Sequence, residues 1–291
     1  MAIDRQGMPS DLDKRYIYRG SMITDFDTCP AKFKWRWIDL LAPKRKAFNL
    51  EVGTLFHEIM HLWFNNLENP YNILVKFCDD HLASDRVKAA FTEDVIAEVQ
   101  RLFDTYHKIY PREEFKVLHP EITVIARIDK DYPYGMEMTL DGVIQLPGPK
   151  APVLVLEHKT SKVAKGPLIK AYLRSPQIVS YCWAAKEVLG YNVLGGLYNF
   201  MVKTKVPDVI RLPTAVNRKA IERWRLHNLK AIQDIERARE RNDFRQNTGK
   251  CYSLYGECPY HSLCLNPTSA AYEDFQEAER SNDREELVID F

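Results

Sequence analysis

Val153-Leu-Val-Leu-Glu-His-Lys-Thr-Ser161 decides the reading of this chain. Four Val and Leu residues lead the stretch, and an unbroken apolar run marks a strand buried on both faces. Side chains alternate along a strand, so Glu157 and Lys159 share one face while His158 turns to the other. A carboxylate and an ammonium at the end of a buried strand allow two readings. One is a solvated ion pair, worth little. The other is a metal-ligand carboxylate beside a cation that handles a phosphate or an attacking water. Glu-x-Lys alone does not choose between them.

Working outward, Val117–Ile128 and Met136–Leu146 read as strands joined by a Pro- and Gly-containing turn. Asp141 falls inside the second, in Thr139-Leu-Asp-Gly-Val-Ile144, where an acid is costly unless paired or bound to a cation. Two neighbouring strands therefore each present a carboxylate. Downstream, Ser175-Pro-Gln-Ile-Val-Ser-Tyr181 opens a helix with proline near its first turn, and Gln177 and Tyr181, four apart, share a face. Tyr191–Val202 and Val209–Leu212 read as a strand pair, and Asn217 caps a charged helix running to about Asn242.

The amino-terminal part reads as helical. Ser21-Met-Ile-Thr24 offers caps, and Cys29-Pro30 interrupts the segment that follows. Lys32, Lys34 and Arg36 interleave with Phe33, Trp35 and Trp37, and Lys44-Arg-Lys46 follows. That pattern suits either a single-stranded nucleic-acid path or buried aromatics with a solvated basic edge. Gly53–Phe64 is a helical run in which His57 and His61 share a face. Taken literally, His57-Glu58-x-x-His61 is the zinc metallopeptidase signature with Glu58 as general base. Phe64 stands where the extended signature has glycine, so a third ligand would have to come from elsewhere, such as Glu93. Helical segments continue over 65–112, including Asp85–Tyr110, with Cys78 and His81 as packing residues.

The 291 residues suffice for one large domain or two small ones, and 45% hydrophobic with 28% charged residues is ordinary for a globular chain. A net charge of +1 argues neither for nor against nucleic acid. Neither a membrane-length apolar run nor a signal-peptide core is visible, so no membrane role and a cytoplasmic home are expected. Six cysteines in a reducing compartment are free thiols or metal ligands before they are disulfides. Three of them, Cys251, Cys258 and Cys264, fall within fourteen residues.

The ordered set Gly53-x-x-x-His57, Asp141-Gly142, Glu157-His158-Lys159 and Gln177-x-x-x-Tyr181 resembles the RecB-like branch of the PD-(D/E)XK nuclease superfamily. Cys29-Pro30 and the trio Cys251, Cys258 and Cys264 extend the likeness to the iron–sulfur nucleases of that branch, the AddB-type and CRISPR-associated RecB-like enzymes. Cys258-Pro-x4-Cys264 fits their spacing. Six residues separate Cys251 from Cys258, where many relatives have two, which keeps structural zinc as an alternative. The resemblance spans about residues 21–266. It implies an α/β fold with a restriction-endonuclease-like core: a central mixed β-sheet flanked by helices, an N-terminal helical region and a C-terminal cysteine segment.

It also implies a metal-dependent DNA nuclease, an exonuclease hydrolysing phosphodiester bonds of single-stranded or end-exposed DNA in recombination, repair or DNA processing. Asp141, Glu157 and the His158 backbone carbonyl are oxygen ligands suited to Mg2+, and the His57 imidazole biases the site toward Mn2+. The metal polarises the scissile phosphate and activates a water. Lys159 orients that water or stabilises the developing charge, and Gln177 and Tyr181 bind substrate. Cys29, Cys251, Cys258 and Cys264 would hold a 4Fe-4S cluster that ties the ends of the domain together, leaving Cys78 and Cys182 packed. The expected layout is a flexible lead-in over 1–20 and a single nuclease domain over 21–268. Within it lie the Cys29 helix (21–50), a helical region (51–112), the catalytic core (117–213), the long helix (217–245) and the cysteine cluster (250–268). An acidic tail occupies 269–291. Without a helicase motif, unwinding would fall to a helicase, recombinase or annealing partner. The competing readings are a non-catalytic DNA-binding protein on the same fold and the zinc metallopeptidase.

Overall fold

The computed structural model describes residues 13–44, 47–148, 151–162, 166, 172, 175–253 and 256–278. The lead-in to residue 12, Arg45 and Lys46, Lys165 and Lys170, and the acidic tail from 279 lie outside the described residues. The chain forms two compact units. A sheet unit takes Ala47–Val124 and Thr139–Ile221. A cysteine unit takes Met1–Lys46, Ile125–Met138 and Glu222–Phe291.

The sheet unit carries a five-stranded mixed sheet in the order Lys116–His119, Gly142–Gln145, Val153–Ser161, Val193–Val202, Asp208–Ala215. Val153–Ser161 and Val193–Val202 are parallel, and the other neighbours are antiparallel. Val153 to His158 are all buried, as an unbroken apolar run in a central strand requires. The parallel connection passes through the Pro176–Glu187 helix. Ser175 caps that helix by accepting the Gln177 N–H at 3.3 Å, and Pro176 occupies its first turn, where a missing N–H costs nothing. Gly196 lets the helix lie close to the sheet, because a Cβ there would stand 2.5 Å from Ile178 Cδ1.

On the opposite face, Phe48–Asn65, Tyr71–Leu82, Asp85–Ala90 and Glu93–Ile109 bury Leu55, Ile59, Trp63, Leu102 and Phe103 against Leu154, Leu156 and Met201. Alternation explains the two faces: even-numbered residues of the central strand meet these helices, and odd-numbered ones face the other way. The chain thus has the mixed α/β fold that the motifs imply, a central mixed sheet flanked by helices.

Three sequence expectations change. The helix over Asp85–Tyr110 is two helices, since the backbone turns extended at Phe91 and Thr92 before restarting at Glu93. The strand over Val117–Ile128 is also two, Lys116–His119 and Ile122–Arg127, because Pro120 cannot donate to a ladder. Met136–Leu146 likewise splits into Gly135–Leu140 and Gly142–Gln145. Asp141 therefore sits at the bend between strands, not within one. The two bends meet: a Cβ on Gly142 would stand 2.9 Å from the Pro120 carbonyl oxygen, so only glycine fits there.

In the cysteine unit, part of the expected loose lead-in is ordered, with Ile17–Arg19 paired in parallel to Gly135–Glu137 and Tyr18 fully buried. The first helix runs Gly20–Thr28, so Ser21–Thr24 lie inside its first turns and not before them. Cys29 is extended, and a short helix restarts at Pro30, as the sequence predicts. The interleaved cations are tied down locally. Asp25, 4% exposed, binds Lys32 at 2.6 Å, Arg36 at 3.0 Å and the Trp37 indole N–H at 3.0 Å, and Lys34 pairs with Asp39. Leu41–Pro43 pairs antiparallel with Phe275–Glu277, joining the two ends of the chain. No helix among the described residues is long and apolar enough to cross a membrane.

Candidate active site

Strand register gathers the acids. Gly142 pairs with Leu156, so Asp141 comes opposite Glu157 one step on. On its other side, His119 pairs with Val143, and the Thr123 and Thr139 hydroxyls bond at 2.8 Å. Glu121 and Asp141 stand in the two bends that meet at Pro120 and Gly142, and Asp141 acts on Glu121, so Glu121, Asp141 and Glu157 are neighbours with Asp141 between the other two. Cross-strand neighbours stand about 5 Å apart at Cβ, and like charges so placed repel.

Each acid is treated differently. Burial opposes ionisation of Asp141, but the His57 imidazole, 3.3 Å away, and the His158 backbone N–H, donating at 2.7 Å, hold its pKa well below the usual carboxylate range. The same pairing raises His57 against the opposing effect of burial. Glu157 is fully buried, and burial followed by the Asp141 charge pushes its pKa up. Lys159 pairs with Glu157 and is raised by it, against the effect of burial. The Lys159 ammonium is the cation on the Glu157 carboxylate. Glu121 is pushed up to about 7 by burial and by Asp141.

Gln177 and Tyr181 also meet. Gln177 donates to the Tyr181 hydroxyl at 2.8 Å, and Tyr181 is raised by burial and then by the Glu157 charge, which places it beside the acids. The His158 ring leaves the site, as alternation dictates. It stacks on Phe64 at 5.3 Å and accepts from the Asn199 amide at 3.1 Å, and burial lowers it to about 3.

Residues 21–265 match the family described as the PD-(D/E)XK nuclease superfamily. The chain belongs to that superfamily. Among solved structures it is similar to a Eubacterium rectale protein named "Putative exonuclease", at 13% identity and a TM-score of 0.46, covering 80% of this chain and 88% of that one. It is also similar to SSO0001, at 12% identity and a TM-score of 0.37, covering 89% of each chain. The assignment rests on the family match and takes nothing from likeness at that level. No curated protein matches the chain.

PD-(D/E)XK nucleases generally use divalent metals such as Mg2+, and the donor set here fits one. Asp141 and Glu157 offer carboxylate oxygens, which suit a hard divalent ion. As the side chains stand, no three His, Cys, Asp or Glu groups converge tightly enough to hold a metal ion among the described residues.

The metallopeptidase constellation does not assemble. His57 faces Asp141, Glu58 accepts from His81 at 2.8 Å and pairs with Arg86, and His61 contacts the Asn65 amide at 2.8 Å. Sequence reasoning missed Glu121. The signal was available, because Glu121 is an acid in a stretch that reads as apolar, the same feature that singled out Asp141.

The cysteines fall into two groups. Cys78 and Cys182 are buried in the sheet unit, each pushed up to about 12 by burial. Cys29, Cys251, Cys258 and Cys264 are half-buried in the cysteine unit. Burial raises Cys258 and Cys264, and neighbouring thiols raise them further: Cys264 and Cys29 act on Cys258, Cys29 and Cys251 on Cys264. N–H donors already serve two of the sulfurs, the Trp35 indole to Cys264 and the Asn247 backbone to Cys29, both at 3.3 Å.

Proposed function

We propose that this chain is a divalent-metal-dependent DNA exonuclease of the RecB-like branch, hydrolysing phosphodiester bonds of single-stranded or end-exposed DNA. The observation that carries this is the fully buried Glu157 carboxylate, set beside Asp141 and paired with the Lys159 ammonium on the same strand face.

Asp141, Glu157, His57 and the His158 carbonyl would hold Mg2+ or Mn2+. When bound, the cation polarises the scissile phosphate and lowers the pKa of a bound water. The residues do the rest. Asp141 is kept ionised by His57 and the His158 N–H, so it needs no proton loss before binding. Lys159, raised by its pairing, stays protonated and sets a fixed positive charge where negative charge develops on the phosphoryl oxygens. Gln177 orients the Tyr181 hydroxyl, and the pair positions the strand being cut.

The four half-buried thiols are proposed to hold a 4Fe-4S cluster, with zinc as the alternative. Four thiolates match either group, and N–H donors to sulfur are the contacts that tune such sites. A DNA-processing setting, in recombination or repair beside a helicase, recombinase or annealing protein, completes the reading.

The test is incubation with labelled single- and double-stranded DNA of defined ends, with Mg2+ or Mn2+. Progressive shortening from ends, absent in Asp141→Ala, is the expected result. Cleavage that persists in Asp141→Ala, or occurs in EDTA, overturns the assignment.

A further inference from the structure

The motifs leave unused a lysine that the fold buries near the site. Lys203 follows the strand Val193–Val202, and its backbone N–H donates to the Ser161 carbonyl at 2.6 Å. That bond ties it to the end of the strand that carries Glu157 and Lys159. We propose that Lys203, with Lys162 beside it, forms a phosphate-binding subsite that grips the DNA strand a few nucleotides from the bond being cut. This rests on the nuclease reading and deepens it.

Lys203 carries a charge that the chain itself does not answer. The residue is 8% exposed, and its ammonium donates to a neutral acceptor, the Asn49 side-chain oxygen at 3.2 Å. Burial lowers the ammonium from its ordinary value, and among the described residues Glu98 is the acid that acts against that effect. Both Glu98 oxygens already serve Arg101, which donates to them at 2.8 Å through Nε and Nη2. Arg101 also donates to the Thr204 carbonyl at 3.0 Å, so its guanidinium reaches the residue next to Lys203. Lys162, exposed, adds a third positive charge and acts on Lys203. Three cations thus share one carboxylate among the described residues. A charge taken out of water is costly unless an opposite charge meets it, and such a cluster accepts an anion from outside the chain.

Position identifies the anion. Asn49 and His57 lie on one helix, Phe48–Asn65, eight residues apart, which is about 12 Å along its axis. Between them Gly53 passes close to the strand, since a Cβ there would stand 3.7 Å from the Thr160 hydroxyl. The helix therefore tracks the strand from Lys203 to the His57–Asp141 pair. A stacked strand advances about 3.4 Å per step, so one cut beside Asp141 brings roughly its third or fourth phosphate to Lys203. Phe48, 41% exposed and adjacent to Asn49, offers a ring on which an unpaired base stacks. Glu51, the acid of the same turn, lies about 200° round the helix from Asn49 and leaves the position clear. Lys159 serves the phosphate that reacts, and Lys203 holds the strand that follows.

The experiment measures binding of a labelled single-stranded oligonucleotide to the full-length protein in EDTA, by fluorescence anisotropy over a range of salt concentrations. Lys203→Met weakens binding about tenfold and lowers the slope of log affinity against log salt by about 0.7, as loss of one phosphate contact on a single strand does. Lys162→Ala, an exposed change that leaves folding alone, weakens binding about threefold in the same direction. Without DNA, Lys203→Met melts no lower than wild type, because a buried charge is gone. Unchanged affinity and slope in Lys203→Met overturns the subsite, and a lower melting midpoint with unchanged slope makes the lysine structural. Stabilisation of wild type by inorganic phosphate, with DNA affinity unchanged in Lys203→Met, makes it a free-anion site and overturns the strand assignment. If binding changes as expected but wild type cuts no DNA with Mg2+ or Mn2+, the nuclease reading fails while the phosphate subsite stands.

Discussion

The two units handle buried polarity in opposite ways. In the cysteine unit the buried charges are answered: Asp25 by Lys32, Arg36 and Trp37, Glu137 by Arg19, and the Tyr18 hydroxyl by Glu236. In the sheet unit lie all the buried side-chain polar atoms that lack a hydrogen bond among the described residues. They include the His158 Nε2 and the Asn199 Oδ1, which lie on the face of the central strand that packs against the helices. Unmade hydrogen bonds in a dry interior cost about 1–3 kcal/mol each, so the sheet unit carries a cost that the cysteine unit avoids.

The sharpest way to break the contrast is Lys159→Ala. It should lower DNA cleavage by about 100-fold or more, measured as initial rates on labelled DNA. The fold survives, because the already raised Glu157 answers loss of its cation by taking up a proton. A large drop in thermal midpoint together with partial activity would make Lys159 structural instead.

Cys258→Ala is the mirror experiment. It should lower the thermal midpoint by roughly 10 °C, equivalent to roughly 3 kcal/mol, and touch cleavage only through loss of folded protein. Normal stability in this variant would remove the clasp. Iron content and visible absorbance of the purified protein decide between cluster and zinc.

A third effect is pH-dependent. His158 has a folded pKa of about 3, below that of an unfolded histidine near 6.5. The unfolded chain takes up a proton that the folded one refuses. His158 therefore costs no stability above about pH 6.5 and progressively more as pH falls below it, by about 1.4 kcal/mol per pH unit down to the folded value. Denaturant melts in EDTA from pH 7 to 4 should show a shallower acid-side decline in His158→Leu than in wild type. Parallel curves would mean that the ring is protonated inside the fold.

The smallest effect belongs to Gln177→Ala. It leaves the metal ligands intact and removes one hydrogen bond to Tyr181, worth about 1 kcal/mol. The expected change is a KM rise of about fivefold with little change in kcat. A collapse of kcat instead would move Gln177 from substrate positioning to the reacting atoms.

The placement of Glu157 and Lys159 on one face, with His158 on the other, was legible in the sequence, because strand alternation is local and strict. The Cys29-Pro30 interruption was legible for a similar reason, proline having no N–H to offer. The Pro120 break belongs to the same class, yet the apolar residues on either side of it masked the change of sheet. Glu121 was hidden differently. Its significance depends on which residue lies beside it, and no window of sequence contains that residue.

Local chemistry thus determined the element types, the shared face of Glu157 and Lys159, the helical spacing of Gln177 and Tyr181 and the pool of available thiols. Tertiary structure alone decided that His57 serves Asp141 and not a peptidase zinc, that Asp25 absorbs the basic run, and that three acids are neighbours. Backbone periodicity acts over a few residues and is written in order along the chain. Register and charge pairing act between residues that the chain order does not set side by side, and only the folded structure brings them together.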